Sequence, residues 1–323
     1  MLLYIAALML PLAIAAYGVL LFLSHTPRLP IASESRYTTN DTNGEEFDLP
    51  PRVTTDNTRA LDDIDISVIV PCYNEVKRLK KMMDEAVAYL EKTHRGKYEI
   101  ILVDDGSTDG TAKYGIELAN MYNLKPHIVK VVHLAKNRGK GGAVTHGMLH
   151  ALGKYALFAD ADGATQFSDI SKLLDFLEKH QEEPAMAIGS RAHLVNTDAV
   201  VKRSFIRNFL MYGLHTLVYI FGIRAVKDTQ CGFKMFNQEA VAKIFPHMHT
   251  ERWIFDVEVL LLGAMQGVLI EETSVNWQEV DGSKVDLARD SIEMAVDLVV
   301  TRLAYILGIY KLNECGRANK KDQ

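Results

Sequence analysis

The chain has 323 residues, 48% of them hydrophobic, which is enough for one large α/β domain with appendages or for two small domains. Its formal net charge of -5 at pH 7 argues against general nucleic-acid binding, so we expect no nucleic-acid partner. Cys72, Cys231 and Cys315 lie far apart without a CxxC pair, which suggests neither a zinc site nor a disulfide framework. Nothing in the composition excludes an enzyme, and it leaves the oligomeric state open.

The first 23 residues form an apolar run without a single charge. At about 1.5 Å per residue, this run is long enough to cross a bilayer as one helix, and we expect a single-pass anchor at 1–23. A cleaved signal peptide is the alternative, because Ala13-Ile14-Ala15 resembles a cleavage site, but no charged region precedes it. Arg28 and Arg36 follow the run and no Lys or Arg precedes it, so the main domain is expected in the cytosol.

The rest of the chain divides into a polar linker, a folded domain and a C-terminal tail. Residues 24–63 are polar and lack periodicity, which is typical of a flexible linker. Residues 64–290 alternate short β-branched runs with amphipathic stretches. Strands are predicted at 66–70, 98–103, 127–134, 155–159 and 185–188, and helices at 76–92, 111–122, 142–152 and 170–180. Such alternation predicts a mostly parallel α/β sheet that binds ligands at the carboxyl ends of its strands.

Aromatic and acidic residues follow the first two predicted strands. Pro71, Tyr73 and Glu75 come after the first strand, where a ring can stack on a base and a carboxylate can accept hydrogen bonds from a ribose. Asp104 and Asp105 follow the second strand and can accept from a pyrimidine imide or a ribose hydroxyl. Helix capping is the alternative for this loop, but an adjacent acidic pair exceeds what capping needs. Both loops therefore indicate nucleotide binding.

Two further loops carry charges suited to phosphate. Lys136 and Lys140 lie in the glycine-rich segment 136–142 before a helix, which offers cations and a positive dipole end to phosphates, although a solvated basic loop has the same composition. Asp160 and Asp162 follow the fourth strand, and carboxylates so spaced can hold a divalent cation against a diphosphate. Asp-x-Asp alone is common in turns. Because all these loops fall on one sheet edge, together they indicate sugar-nucleotide chemistry.

Seven motifs resemble those of glycosyltransferase family 2 enzymes with the GT-A fold, and within that family those that use dolichyl phosphate. The motifs are 70–75, 103–107, 136–143, 159–165, 189–193, 228–234 and 251–258. The first two are shared by many family 2 enzymes, whereas the later ones are more specific. The resemblance implies a Rossmann-like GT-A catalytic domain with a mostly parallel sheet.

The resemblance also implies roles for individual residues. Uridine would be held by Pro71, Tyr73, Glu75, Asp104 and Asp105, with Lys136 and Lys140 beside the phosphates. Asp160 and Asp162 would bind Mg²⁺ or Mn²⁺ bridging the UDP phosphates. Gln166 would complete the metal shell as a glutamine does in mannosyl relatives, although here it stands further along the loop.

Arginines are the candidates for the acceptor phosphate, because a planar guanidinium engages phosphate oxygens bidentately. The candidates are Arg191, Arg203 and Arg207, although Arg203 and Arg207 also fit a solvated helix surface. The expected catalytic set is Asp160, Asp162, Arg191 and Arg207.

The implied reaction moves glucose from UDP-glucose to dolichyl phosphate with inversion. A phosphate monoester with a second pKa near 6 needs no strong general base, so Asp256 and Glu258 are interpreted as residues that position sugar hydroxyls or arginines. A place beside a helix start without such a role is the alternative. A mannosyl transferase using GDP-mannose is the nearest alternative. A catalytically silent membrane scaffold or nucleotide-sugar sensor is an alternative of another class.

Two further segments are expected to lie on membrane lipid. Residues 208–221 and the C-terminal stretch 294–312, within the region 291–323, have the composition of amphipathic interfacial helices, although core helices fit equally well. Asp297 and Arg302 disfavour a bilayer span in the second segment. Together with the resemblance, these features predict a single-pass protein of the endoplasmic reticulum membrane whose catalytic domain faces the cytosol.

Overall fold

One mixed sheet organises the part of the chain that the computed structural model describes, residues 2–40, 44–55, 63–194, 226–280 and 287–312. Its strands are β1 (Arg36–Thr38), β2 (Glu46–Asp48), β3 (Ile66–Cys72), β4 (Tyr98–Asp104), β5 (Val129–His133), β6 (Tyr155–Ala159), β7 (Ala185–Ser190), β8 (Phe233–Asn237) and β9 (Leu269–Ser274). Their order across the sheet is β2-β1-β5-β4-β3-β6-β8-β7-β9.

The centre of this sheet is parallel, as the alternation of strands and helices predicts. β5, β4, β3 and β6 run in the same direction, with Ile66 paired to Tyr98 on one side and to Tyr155 on the other. β8 lies antiparallel between β6 and β7, and β9 is parallel to β7. Parallel strands covered on both faces read as continuous apolar runs, which explains why the sequence locates them well.

Helices cover both faces of the sheet. They are α1 (Leu2–Leu23), α2 (Leu79–Thr93), α3 (Thr111–Met121), α4 (Lys140–Leu149), α5 (Ile170–Leu177), α6 (Gln238–Ile244), α7 (Phe255–Met265) and α8 (Leu287–Ile306). Side chains of α2, α3 and α5 share one buried apolar cluster, and those of α4, α6 and α7 share another. This two-sided cover leaves the carboxyl ends of the central strands as the open edge.

The structure differs from the sequence expectation in the segment 24–63, predicted to be a flexible linker. β1 and β2 form there, and β1 pairs with β5. Glu34 is fully buried, and its carboxylate accepts hydrogen bonds from Arg28 and from the N–H of Ala135. Asn40 is also buried and donates to the carbonyl of Leu124. Polar side chains pack here because partners distant in sequence satisfy them, which a local reading does not detect.

The N-terminal and C-terminal helices lie together at one side of the domain. α1 contacts α8, and α8 also contacts α7. Most apolar side chains between Met9 and Leu23 are exposed, Phe22 at 88%. Nevertheless, none of the helices in the described ranges combines the length and the apolar character needed to cross a membrane. The predicted bilayer-spanning anchor is therefore unsupported, and the predicted interfacial helix at 208–221 lies outside the described residues.

Candidate active site

A cleft of about 860 Å³ opens at the carboxyl ends of β3, β4 and β6. Its walls come from the loops after these strands, the start of α4, the loop 249–253 before α7, the residues that follow α1, and one face of α8. The sequence-predicted residues on its wall are Pro71, Tyr73, Glu75, Asp105, Lys136, Lys140, Asp160, Asp162 and Arg191. The topology thus brings together loops that follow five strands, β3 to β7.

The loop after β3 is fixed by its neighbours. Arg78 donates to both oxygens of Glu75, at 2.8 and 2.6 Å, so the Glu75 carboxylate is held within the wall. The N–H of Asn74, a residue with φ of 53°, donates to Ser107 Oγ at 2.8 Å in the loop after β4. Tyr73 remains 41% exposed at the cleft. One aromatic face is therefore presented by a loop that is otherwise tied down.

The two adjacent aspartates after β4 separate into different environments. Asp105 faces the cleft, and its carboxylate accepts from the N–H groups of Arg138 at 2.6 Å and Gly139 at 2.8 Å. Burial raises the pKa of Asp105 to about 6, although these hydrogen bonds oppose the rise. Asp104 is buried away from the cleft wall and bonds His133 Nδ1 at 2.7 Å. The structure therefore places only Asp105 where a nucleotide can reach it.

The start of α4 is shaped by close backbone approach. Gly139 has φ of 86°, and a Cβ there would lie 2.6 Å from the carbonyl oxygen of Glu251. Glu251 O in turn accepts from the N–H of Gly142. Lys140 Nζ lies 2.6 Å from Asp160 Oδ1. Burial acts to lower the pKa of Lys140, but the carboxylates of Asp160 and Asp256 outweigh burial. The pKa of Lys140 is therefore above its ordinary value, and the lysine is charged. A fixed cation thus stands beside the Asp-x-Asp motif.

The Asp-x-Asp motif follows β6 as predicted, with both carboxylates on the cleft wall. The N–H of Asp160 donates to the carbonyl of Gly232 at 3.1 Å, and a Cβ on Gly232 would collide with the Asp160 carboxylate. Asp162 Oδ1 accepts from the N–H of Ala164 at 2.9 Å. Burial and the charge of Asp160 raise the pKa of Asp162, which marks a pair of carboxylates that a cation would stabilise.

These donors fit a magnesium-type site completed by a substrate. No group of three or more His, Cys, Asp or Glu side chains able to hold a metal ion exists among the described residues. Mg²⁺ is commonly held by one or two carboxylates together with water and substrate phosphates, so Asp160 and Asp162 suffice. Gln166, predicted to complete the shell, is not on the described cleft wall, and its amide donates to Ser168 Oγ at 3.0 Å.

Arg191 is the one predicted acceptor-phosphate arginine within the described residues, because Arg203 and Arg207 lie outside them. It donates to both oxygens of Asp228, at 2.8 and 2.9 Å, and its guanidinium lies 5.4 Å from the ring centroid of Trp277. Burial acts to lower the pKa of Arg191, but the Asp228 carboxylate raises it. The side chain is therefore charged and rigidly held at the cleft.

Asp256 and Glu258 lie in the first turn of α7 and are buried off the cleft wall. Asp256 forms an ion pair with the buried Lys234. Glu258 accepts from the N–H and hydroxyl groups of Thr250, at 2.7 and 2.5 Å, and from the N–H of His249. Their role is therefore to position protein groups, Glu258 holding the loop 249–253, rather than to contact sugar hydroxyls.

Sequence reasoning missed several cleft residues that come from distant segments. They are His25, Arg28, Arg78, Arg138, Arg252 and Glu293. Arg138 pairs with Glu251 across 113 positions in sequence, a separation that no local pattern reveals. Local signals do exist for three of them, because Arg78 stands three residues after Glu75, and Arg138 and Arg252 lie within the motifs 136–143 and 251–258.

Comparisons with known proteins identify the class of enzyme. The model of glycosyl transferase family 2 matches residues 67–245. The chain has the fold of glucosyl-3-phosphoglycerate synthase from Mycobacterium tuberculosis, with a TM-score of 0.51 at 15% identity over 74% of this chain and 80% of that one. Mannosyl-3-phosphoglycerate synthase from Rubrobacter xylanophilus gives a TM-score of 0.52 at 16% identity, over 80% and 77%. The fold is that of GT-A glycosyltransferases.

Closer relatives narrow this class. A dolichyl-phosphate beta-glucosyltransferase of Saccharomyces cerevisiae is 49% identical over 95% of this chain and 94% of its own length. Its namesake in Homo sapiens is 44% identical over 79% of this chain and 80% of its own length. The chain therefore belongs to glycosyltransferase family 2 and, within it, to the family of dolichyl-phosphate beta-glucosyltransferases.

Proposed function

We propose that this protein transfers glucose from UDP-glucose to the phosphate of dolichyl phosphate, giving dolichyl β-D-glucosyl phosphate and UDP with inversion. The observation that carries the proposal is the single cleft in which Asp160 and Asp162 face Asp105 and the start of α4. This cleft occurs in a chain that is 49% identical to a dolichyl-phosphate beta-glucosyltransferase over 95% of its residues.

The donor would lie along the loops after β3, β4 and β6. Tyr73 offers a half-exposed ring for the uracil, and Asp105 offers a carboxylate already oriented by two backbone N–H groups. Lys140, beside Asp160, supplies a fixed positive charge for the diphosphate. Such preorganised charges stabilise a leaving group most when water is excluded, because the local dielectric constant is low.

Mg²⁺ or Mn²⁺ would be held by Asp160 and Asp162 together with the two phosphates of UDP. When bound, the cation would neutralise charge on the leaving diphosphate. The raised pKa of Asp162, which follows from burial and the nearby Asp160 carboxylate, supports this assignment, because a bound cation offsets both effects. Gln166 stays a candidate ligand through its amide oxygen, since the hydrogen bond to Ser168 uses only its amide nitrogen, although Gln166 is not on the described cleft wall.

The nucleophile would be an oxygen of the acceptor phosphate, which is largely ionised at neutral pH and needs no strong general base. The buried pairing of Asp256 with Lys234 agrees with this, since it leaves Asp256 unavailable as a base. Arg191, charged and held by Asp228, is proposed to stabilise the phosphate at the reacting position. Arg207 and Arg203 remain candidates for the same role.

We also propose that the protein acts at the cytosolic face of the endoplasmic reticulum membrane. Most apolar side chains of α1 between Met9 and Leu23 are exposed, and Ile292 and Val296 of α8 add exposed apolar surface at 60% and 44%. Exposed apolar surface on amphipathic helices is typical of contact with lipid. Residues 24–26 lead directly from α1 into the cleft, so lipid contact would bring the acceptor to the site.

The proposed function can be tested by donor transfer. Radiolabelled UDP-glucose and, in parallel, GDP-mannose are offered to purified protein with dolichyl phosphate in detergent, with and without EDTA. Label should enter the lipid from UDP-glucose alone and should be lost with EDTA. Label from GDP-mannose would move the assignment to mannosyl transfer. The absence of label from both donors would refute the proposed transferase activity.

A further inference from the structure

An exposed ion pair bridges the mouth of the cleft. Arg252, in the loop before α7, pairs with Glu293 of α8, and both residues line the cleft. One turn further along α8, Asp297 Oδ1 lies 3.1 Å from Nε2 of His25, which also lines the cleft. An arginine and a histidine on the cleft wall therefore each face a carboxylate on the same side of α8.

Arg252 differs from the other cleft arginines because its ion pair with Glu293 is more exposed to solvent. Its side chain is 58% exposed, whereas Arg138, paired with Glu251, is 7% exposed, and Arg191, paired with Asp228, is 33% exposed. The net contribution of an exposed ion pair to stability is small, on the order of 0 to 1 kcal/mol. An anionic ligand can therefore displace Glu293 from Arg252 at little cost, while the buried pairs stay intact.

The ion pair of Arg252 and Glu293 lies between the Asp-x-Asp motif and the exposed apolar side chains of α8. The loop carrying Arg252 packs on the start of α4, since a Cβ on Gly141 would lie 3.0 Å from the carbonyl oxygen of Arg252. Gly141 follows Lys140, which contacts Asp160. On the opposite side, Ile292 is the sequence neighbour of Glu293 and is 60% exposed.

His25 occupies an equivalent position at the end of α1. Phe22, three residues earlier, is 88% exposed, so the apolar surface of α1 ends close to His25. The hydrogen bond to Asp297 raises the pKa of His25, although burial opposes the rise. Together they form a basic pair where an apolar surface meets a polar cleft.

We propose that Arg252, with His25 beside it, binds the phosphate of the lipid acceptor as it enters the cleft. Glu293 and Asp297 pair with these two side chains until the phosphate takes the place of the carboxylates. The proposal rests on the proposed function and names a binding step of the same site. Arg191 contacts the phosphate at the reacting position, whereas Arg252 acts earlier, at the mouth. A guanidinium engages phosphate oxygens in pairs, and such charge-assisted hydrogen bonds are stronger than neutral ones.

Opposite effects of two substitutions test this exchange. Steady-state kinetics are measured for wild type, Arg252→Gln, Glu293→Gln and the double variant, varying dolichyl phosphate and UDP-glucose separately. Arg252→Gln should raise the acceptor KM about tenfold, since it removes hydrogen bonds between charged groups. Glu293→Gln should lower the acceptor KM about threefold, because a competitor is removed. The double variant should match Arg252→Gln, since removing the competing carboxylate has no effect once the arginine is gone.

The controls separate a binding role from a structural one. Arg95→Gln is the matched control, because Arg95 pairs with Glu91 on the exposed side of α2, away from the cleft wall, and it should leave both KM values unchanged. Arg252→Lys should restore part of the acceptor KM. Thermal melts check folding, and if Arg252→Gln fails to fold, the direction of the Glu293→Gln effect decides.

An unchanged acceptor KM in Arg252→Gln, or a raised one in Glu293→Gln, would overturn the proposal. An equal rise in the KM for UDP-glucose would also overturn it, because the arginine would then serve the donor. Wild-type protein without any transfer would refute the proposed function itself. Normal wild-type transfer with unshifted variants would refute only the assignment of Arg252.

Discussion

The two walls of the cleft differ in how their charged side chains are held. We call the wall with Glu75 and Asp105 the donor wall and the wall with Arg252 and His25 the acceptor wall, after the substrates that we propose for them. On the donor wall, Glu75 accepts from the partly buried Arg78 and Asp105 accepts from backbone N–H groups, so the orientation of both carboxylates is set before any ligand binds. On the acceptor wall, Arg252 and His25 pair with carboxylates of a separate helix, α8, at partly exposed positions. The donor wall is therefore preorganised, whereas the acceptor wall consists of contacts that a ligand can replace.

This difference matches the demands of the two proposed substrates. A nucleotide sugar diffuses in water and gains affinity from groups that are already oriented, because little ordering is needed on binding. A lipid phosphate would approach from an apolar surface, and its negative charge would need a positively charged side chain at the mouth of the cleft. In the absence of lipid, Glu293 and Asp297 pair with Arg252 and His25, so the acceptor wall holds no unpaired charge at these positions.

The largest expected effect breaks the donor wall at its proposed metal site. Asp162→Asn removes one of two carboxylates and should lower kcat about 10² to 10³-fold, since charge stabilisation of the leaving diphosphate is lost. The thermal midpoint should stay close to wild type, because Asp162 sits at a partly open site. Asp84→Asn, on the exposed face of α2, is the matched control and should keep full activity. Normal turnover by Asp162→Asn would remove the metal assignment.

A smaller effect is expected when Asp160 is displaced rather than removed. A Cβ on Gly232 would collide with the Asp160 carboxylate, so Gly232→Ala should shift that carboxylate and lower kcat about 10²-fold. Gly18→Ala is the control, because a Cβ there meets nothing within 4 Å. Transfer rates of the two variants provide the measurement. Equal activity in both would show that the position of Asp160 is not critical.

The anchor of the acceptor wall can be weakened separately. Glu258→Gln replaces a buried carboxylate that accepts from Thr250 and His249 with an amide whose NH₂ group faces those donors. We expect a loss of about 2 kcal/mol in the free energy of unfolding, measured in urea. Glu117→Gln, an exposed position on α3, should change it by less than about 0.5 kcal/mol. A stability loss below that of the control would mean that Glu258 does not hold the loop 249–253.

Acid should lower the free energy of unfolding through the buried His146 of α4. Burial and then the charge of His150 lower the pKa of His146 to about 3 from 6.5, and its Nε2 lies 2.8 Å from the carbonyl oxygen of Glu34. Below pH 6.5 the unfolded chain gains a proton that the folded chain does not, so stability falls as pH falls, by at most about 1.4 kcal/mol per pH unit.

The pH effect is checked by urea unfolding between pH 7 and pH 5. His146→Gln should flatten the dependence, whereas His193→Gln, at an exposed position, should leave it as in wild type. A steep slope that persists in His146→Gln would assign the acid sensitivity to other groups.

The donor wall is largely predictable from sequence, and the acceptor wall is not. Tyr73, Glu75, Asp105 and Asp160 all follow apolar strands directly, so topology alone places them on one edge. Successive residues leaving a strand point to opposite sides, which is why Asp104 turns toward His133 while its neighbour faces the cleft.

The rest depends on contacts between distant segments. Arg252 meets Glu293 across 41 positions, and His25 meets Asp297 across 272, and neither pair leaves a local pattern. The same holds for Glu34 in the expected linker, whose carboxylate accepts from the N–H of Ala135, 101 positions away. Sequence periodicity reports which face of an element is apolar, but not which distant loop will cover it.

The most direct test of the account is a crystal structure with Mn²⁺ and UDP-glucose, recorded at the manganese absorption edge. We expect one anomalous peak in contact with Asp160, Asp162 and the diphosphate, with the uracil beside Tyr73 and Asp105. A manganese ion held elsewhere, or a nucleotide bound away from these side chains, would contradict it.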